Sequence, residues 1–275
     1  NTTPPELPYA TYRASSLQRM LGRDERANEL AEMALAQYRA GDDMRGMGAT
    51  LNLLGALARG RKAYDRARAY GEEALVMWRE VGDSSWIALA LDYLALTLHW
   101  QGENDRAEAL LMDALAIYQD TGDAWGLANV TNNLAYVAAD RGDWQLAAAR
   151  QLVSLDAGLE SGIKEALFDI LANIAVTAIG CHLYQAGVRV FAGAQGIVAT
   201  LNYQIEAPER EWHEQAIATA RAKLGEREFE AMRIAGAALS ADEAVTEARR
   251  VLDAVRNGAK HLDVPAAANG LAVSM

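Results

Sequence analysis

The stretch Asn132–Ala149, NNLAYVAADRGDWQLAAA, contains the pattern that decides the fold. Its Leu134-Ala135 pair recurs at steps of 40 residues, as Leu54-Gly55, Leu94-Ala95 and Ile174-Ala175. A second column at the same step contains only small residues, namely Ala27, Ala67, Ala107, Ala147 and Gly187. Five copies in one register indicate an internal repeat.

Each copy of the repeat reads as two helical segments, because apolar residues recur three and four positions apart and glycines interrupt the pattern. In the third copy the first helix is predicted from Ser84 to Gln101. Gly102 breaks it, and Asn104 is predicted to cap the second helix. Glycine–aspartate pairs, which suit helix ends and starts, mark the ends of successive copies at Gly41-Asp42, Gly82-Asp83 and Gly122-Asp123.

The column of small residues has a mechanical explanation. Two helices of a hairpin can approach closely only where the side chain between them is small. Ala107 is therefore predicted to lie at the contact between the two helices of its pair. The sequence predicts an all-α fold, a stack of antiparallel helix pairs.

The repeat resembles the tetratricopeptide repeat. That family has a Leu followed by a small residue, an Ala thirteen positions later and another Ala seven beyond, and Leu94, Ala95, Ala107 and Ala114 match this pattern. The 40-residue unit is longer than the usual 34, and it lacks the terminal proline. The resemblance implies a right-handed superhelix (α-solenoid), and it is greatest to the long-repeat C-terminal region of large bacterial signal-transduction ATPases, many of them transcriptional regulators. Aromatic residues occupy the family's position at the start of the second helix at Tyr64, Trp144 and Tyr184.

The segment after the repeats resembles the closing segment of the same regulators. Ser240 and Glu243 also have the spacing of a capping box. The predicted organisation is a lead-in at residues 1–11, five helix pairs at 12–201, closing helices at 202–256 and a flexible tail at 257–275. The residues that carry the resemblance are Gly193-Ala194, Leu224-Gly225-Glu226, Phe229, Gly236, Leu239-Ser240 and Glu243-Ala244.

Composition narrows the classes of function. The net charge of −11 argues against direct binding of nucleic acid or of an anionic membrane surface. No apolar run reaches the length of a membrane span, and a single cysteine favours the cytoplasm. The first residue is Asn rather than Met, which suggests a piece of a longer protein.

The sequence offers little catalytic or metal-binding chemistry. The four histidines lack metal-ligand spacing, and His213-Glu214 is not followed by a second histidine. Cys181 and His182 are adjacent, so they point in different directions on a helix, and an ordinary buried cysteine is the favoured interpretation. We predict no catalytic residue, no cofactor and no metal, and hence a protein that is not an enzyme.

The predicted binding surface is the concave side of the superhelix, which in the family is lined by the first helix of each pair. Asn132 is predicted to face this groove and Asn133 to lie in the seam with the next repeat. Side-chain amides can donate to and accept from an extended peptide backbone. The alternative is that the amides and tyrosines only pack and bond within the stack. The candidate groove residues are Asn52, Asp92, Tyr93, His99, Trp100, Asn129, Asn132, Tyr136 and Asn173.

Two hypotheses of function follow. The favoured one is a binding module, the sensor or scaffold region of a larger bacterial regulator, which takes a protein, a peptide or a small effector in its groove. The other is a structural spacer or oligomerisation arm without a ligand of its own. Both allow contacts with other domains of a longer protein and a homo-oligomer.

Overall fold

A computed structural model describes residues 6–201, 203, 205–259 and 261–263. These residues form thirteen α-helices and contain no β-strand, which confirms the all-α prediction. The ten helices of the five pairs are α1 (Glu6–Met20), α2 (Asp24–Ala40), α3 (Met44–Gly60), α4 (Tyr64–Val81), α5 (Ser84–Trp100), α6 (Asn104–Thr121), α7 (Ala124–Asp140), α8 (Trp144–Ser161), α9 (Lys164–Gly180) and α10 (Tyr184–Val198). The last three are α11 (Ala207–Leu224), α12 (Glu226–Ala237) and α13 (Ala241–Arg256).

The chain divides into two compact units. Of the described residues, the first comprises 6–133, 203 and 205–210, and the second comprises 134–201, 211–259 and 261–263. In the first unit each helix from α1 to α5 packs on the next helix along the chain, up to α6. In the second unit α9 packs on α8 and α10, while α13 contacts α8, α9 and α10. None of the helices in the described residues combines the length and apolar character that a membrane crossing requires.

In the turns between repeats, glycine ends one helix and aspartate begins the next as predicted, with one exception. Gly82 and Gly122 adopt positive φ angles of 73° and 68° after α4 and α6, and Asp123 Oδ1 then accepts from Gly126 N at 3.0 Å. In the first copy Gly41 was predicted to end the helix in the left-handed conformation. This prediction is wrong, because the φ of Gly41 is −96° and Asp42 adopts the left-handed conformation with φ 54°. The 40-residue step aligns Asp42, not Gly41, with Gly82, and aspartate tolerates this conformation better than most residues.

In the first three repeats the second helix carries an aromatic residue onto the first helix of the following repeat, namely Tyr38, Trp78 or Tyr118. Trp78 is buried and stacks on Trp86 with ring centroids 4.6 Å apart. A Cβ added at Gly126 would clash with the ring of Tyr118. The step between repeats therefore depends on a large ring on one side and a small or flat partner on the other.

The closing helices of the second unit are built as the sequence indicates. Ser240 and Glu243 form the predicted capping box at the start of α13. Phe229 is buried in an apolar cluster with Ile179 and Val188. Gly236 lets α12 approach the backbone of Arg189 so closely that an added Cβ would clash.

The predicted domain boundaries stay a prediction. Helix α1 begins at Glu6, inside the predicted lead-in of residues 1–11. Of the tail predicted at residues 257–275, positions 260 and 264–275 lie outside the described residues. The last described helix ends at Arg256.

The buried alanine column supplies a stability test. Ala107 is fully buried, so Ala107→Leu is expected to overpack the α5–α6 pair and to lower the free energy of unfolding by about 1–3 kcal/mol. The matched control is Ala109→Leu, because Ala109 lies exposed on the same helix. Urea unfolding followed by circular dichroism measures both variants. Equal midpoints for the two variants would show that the register of α6 is wrong.

Candidate binding face

The predicted groove residues lie on the first helices of the repeats, and the two units share them. Seven lie in the first unit, whereas Tyr136 and Asn173 lie in the second. Tyr93, Trp100 and Asn129 are half-buried. The buried members of the set are Asn52, Asp92, His99, Asn132, Tyr136 and Asn173.

The strongest polar arrangement in the first unit was not predicted from the sequence. Arg19 Nη2 donates to Glu206 Oε1 at 2.8 Å. Arg59 Nε donates to Glu206 Oε2 at 2.9 Å, and its Nη2 donates to Oε1 at 3.1 Å. Two repeats thus hold one carboxylate, which the chain supplies from the residues just before α11. We call Arg19, Arg59 and Glu206 the carboxylate site.

The repeat itself places these arginines. Arg19 and Arg59 are 40 residues apart, so they occupy the same position in the first and second copies, and His99 follows at the same step. This column was a usable signal in the sequence. No local pattern pointed to Glu206, because it is 147 residues from Arg59.

The environment of the carboxylate site makes its charges interdependent. The side chain of Arg59 is only 5% exposed and that of Glu206 16%. Burial alone would raise the pKa of Glu206, but the guanidinium groups of Arg59 and Arg19 outweigh burial and lower it. Arg59 also lies over the ring of Tyr93, 5.4 Å from the centroid. The site contains three charges, of which those of Arg59 and Glu206 are largely desolvated.

The polar residues of α3, α5 and α7 are unequally satisfied. Asn133 Nδ2 donates to Asp92 Oδ1 at 2.8 Å, which joins α7 to the preceding repeat. The prediction that Asn133 lies in the seam with the next repeat is therefore wrong. Burial raises the pKa of Asp92 to about 6, although the hydrogen bond from Asn133 and the charge of Arg59 act in the opposite direction. Within the described residues, Asn132 Oδ1 and both amide atoms of Asn52 are buried without a hydrogen-bond partner.

His99 has a local role that changes the interpretation of Asn104. His99 Nδ1 donates to Asn104 Oδ1 at 2.8 Å. Helix α6 begins at Asn104 itself, and its N-cap position is occupied by Glu103 without a side-chain hydrogen bond. The prediction that Asn104 caps α6 is therefore wrong, because its amide oxygen is engaged by His99.

In the second unit the predicted residues are covered by α11. His213 Nε2 donates to Asn173 Oδ1 at 2.7 Å, and the rings of Tyr136 and Trp212 are 4.8 Å apart between centroids. Burial lowers the pKa of His213 to about 4, so the imidazole is neutral. His213 Nδ1 is buried without a hydrogen-bond partner among the described residues.

The described residues contain no group of three or more His, Cys, Asp or Glu side chains that could hold a metal ion. Cys181 lines a cavity of about 410 Å³ in the second unit, together with Asp143 and Trp144. Burial raises the pKa of its thiol. This favours the thiol over the nucleophilic thiolate.

The raised pKa of Asp92 predicts how the stability of the fold changes with pH. Its folded-state pKa lies above the unfolded value, so its contribution to stability is greatest below about pH 4 and is lost as the pH rises to about 6. Asp92→Asn keeps an acceptor for Asn133 and removes the buried charge. We expect it to raise the free energy of unfolding at pH 7.5 by about 1–2 kcal/mol.

The measurement is urea unfolding of the parent and of Asp92→Asn between pH 4 and pH 7.5. The gain should shrink towards pH 4. Asp113→Asn, at an exposed position of α6, is the matched control and should shift neither curve. A gain that does not depend on pH would contradict this account of Asp92.

Comparison with known proteins agrees with this geometry. The tetratricopeptide repeat family profile matches residues 46–120. This part of the chain is similar to tetratricopeptide repeats. The match covers α4 and α5 completely and extends into α3 and α6. No curated protein matches the sequence.

Solved structures share the fold of this chain. One is the putative kinesin light chain repeats of Podosopora anserina, 15% identical, with 81% of this chain and 99% of that chain covered and a TM-score of 0.50. Another is BtubC (BKLC) from P. vanneervenii, 18% identical, with 94% and 98% covered and a TM-score of 0.52. At these identities the likeness concerns the fold alone.

Proposed function

We propose that this chain is a non-catalytic binding module that takes a protein or peptide on the face lined by α1, α3, α5 and the part of α7 that lies in the first unit and carries Asn132. It would act as the sensor or scaffold region of a larger bacterial transcriptional regulator in the cytoplasm. The observation that carries the proposal is the carboxylate site, in which this face already holds a side chain from a non-helical part of the same chain. Tetratricopeptide repeats commonly bind other proteins, which supports the same function.

The amides on this face support binding of a peptide backbone. Asn52 and Arg59 are seven residues apart on α3, which places them on one helical face. Both amide atoms of Asn52 are buried without a partner among the described residues. Because such groups are costly when unpaired, a bound backbone that donates to and accepts from this amide would be favoured.

The regulatory context rests on the sequence resemblance. The repeat length and the closing segment resemble the C-terminal regions of bacterial signal-transduction ATPases. The net charge of −11 argues against direct contact between this chain and DNA, so in such a protein we propose that another domain binds DNA.

The second candidate function is a structural spacer or oligomerisation arm. The observation that favours it is the same carboxylate site, because Glu206 occupies part of the face on which a partner would bind. In this alternative the ion pairs only fix the return of the chain after the repeats.

Paired asparagine variants distinguish the two functions. A partner is first recovered with the parent chain from a lysate and identified, and its binding is then measured by calorimetry. Asn52→Ala combined with Asn132→Ala should weaken binding a few-fold to about tenfold with little change in melting temperature. Asn133→Ala should lower the melting temperature and leave binding almost unchanged, because it removes the hydrogen bond to Asp92.

A further control lies outside the proposed face. Asp113→Ala combined with Gln119→Ala changes two exposed positions on α6 and should leave binding unchanged. The Asn52 and Asn132 variant could instead bind like the parent and melt at the same lowered temperature as Asn133→Ala. The amides would then be structural, and the spacer would be the better account.

A further inference from the structure

We propose that the carboxylate site selects partners with an acidic side chain, and that Glu206 is an intramolecular competitor for it. This inference rests on the proposed function and names the chemistry of the partner. It follows from the two arginines, from their burial and from the position of Glu206 in the chain.

The burial of Arg59 sets the requirement for a carboxylate. Its guanidinium is held by two hydrogen bonds to Glu206 in a position that is 5% exposed. A partner that displaced Glu206 with a neutral side chain would leave a buried charge unpaired, which is strongly unfavourable. A carboxylate restores the bidentate pair, whose planar geometry suits guanidinium. The occupant of this site must therefore be acidic.

Arg19 provides the accessible side of the site. Its side chain is 38% exposed and it donates a single hydrogen bond to Glu206. An incoming acid can pair with Arg19 before Glu206 has left Arg59, so exchange does not require an unpaired intermediate. Arg19 thus contacts the incoming acid first, and the buried Arg59 requires that the acid be charged.

The overall charge of the chain argues against a merely basic surface. The chain carries 37 acidic and 26 basic residues, so an acidic peptide is repelled by most of the molecule. Binding at Arg19 and Arg59 would then depend on these two side chains rather than on general attraction. The attached Glu206 is present at high effective concentration, so it lowers the apparent affinity for any acidic partner.

The test uses a peptide copied from the chain itself. A fluorescein-labelled peptide with the sequence of residues 201–212, LNYQIEAPEREW, is compared with the same peptide carrying Gln at the position of Glu206. Binding to the full chain is followed by fluorescence anisotropy. The proteins are the parent, Glu206→Gln, and Glu206→Gln combined with either Arg19→Gln or Arg26→Gln, the last being an exposed arginine of α2.

We expect Glu206→Gln to bind the acidic peptide about tenfold more tightly than the parent, and the neutral peptide to bind this variant about tenfold more weakly than the acidic one. Adding Arg19→Gln should remove most of the difference between the peptides. Adding Arg26→Gln should leave it unchanged. Circular dichroism checks each fold. If Glu206→Gln loses helix, Glu206→Asp replaces it, because the shorter side chain weakens the bidentate pair with Arg59, and this variant should still bind the acidic peptide more tightly than the parent.

Each failure has a separate meaning. Equal binding of the acidic peptide by parent and Glu206→Gln would overturn the competitor role. Equal binding of the two peptides would overturn the acidic selection, while the face would still be a peptide-binding surface. If neither peptide binds and Arg19→Gln leaves the recovered partner's affinity unchanged, the inference fails but the binding module stands. If no partner is recovered either, both proposals fail.

Discussion

Arg189→Met is expected to lower the free energy of unfolding by about 3 kcal/mol, because it leaves the carboxylate of Glu247 buried and unpaired. Arg189 on α10 donates from Nε to Glu247 Oε1 at 2.6 Å and from Nη2 to Oε2 at 2.8 Å. The two side chains are only 6% and 8% exposed. The pair joins α10 to α13 in the second unit, so its loss should loosen the closing helices.

Chemical unfolding of three variants tests this expectation. The matched control is Arg233→Met on α12, which breaks a bidentate pair with Glu230 that is half exposed. It should cost little, because water replaces the lost contacts. Arg189→Met combined with Glu247→Met should recover most of the loss, because no charge then stays buried. A single variant as stable as the Arg233 control would contradict the burial of this pair.

Lowering the pH from 7 to 4 is expected to remove about 2–3 kcal/mol of stability through His213. Burial lowers its folded pKa to about 4, below the unfolded value of 6.5. Its contribution is therefore complete above pH 6.5 and is lost as the pH falls towards 4. The neutral ring donates to Asn173 within the second unit, and a second proton on Nδ1 would be buried without an acceptor.

Asp92 changes stability with the opposite sign over an overlapping range of pH. The measurement is therefore made in the Asp92→Asn background, by urea unfolding at several pH values. Adding His213→Gln should flatten the dependence between pH 6.5 and 4.5. Adding His261→Gln, at an exposed histidine, should preserve it. An unchanged slope in the His213 variant would refute this assignment.

The sequence determined the helices and their repetition. Apolar spacing within each copy and the 40-residue step between copies are local and periodic, so they could be read without coordinates. Ala107, predicted to lie at the contact between the helices of its pair, is fully buried, and the capping box at Ser240 was correctly predicted. The register of the first turn was missed, because Gly41 stands one residue before the position that needs a left-handed conformation.

Only the tertiary structure decided which polar side chains meet. Asn132 and Asn133 are adjacent in sequence, yet Asn133 bonds to Asp92 while Asn132 Oδ1 has no partner among the described residues. The carboxylate site joins residues 147 positions apart. Helix formation depends on neighbours within a few residues, which a sequence displays directly. The pairing of Glu206 with Arg19 and Arg59 depends on where the chain returns after five repeats, and no periodic signal encodes that path.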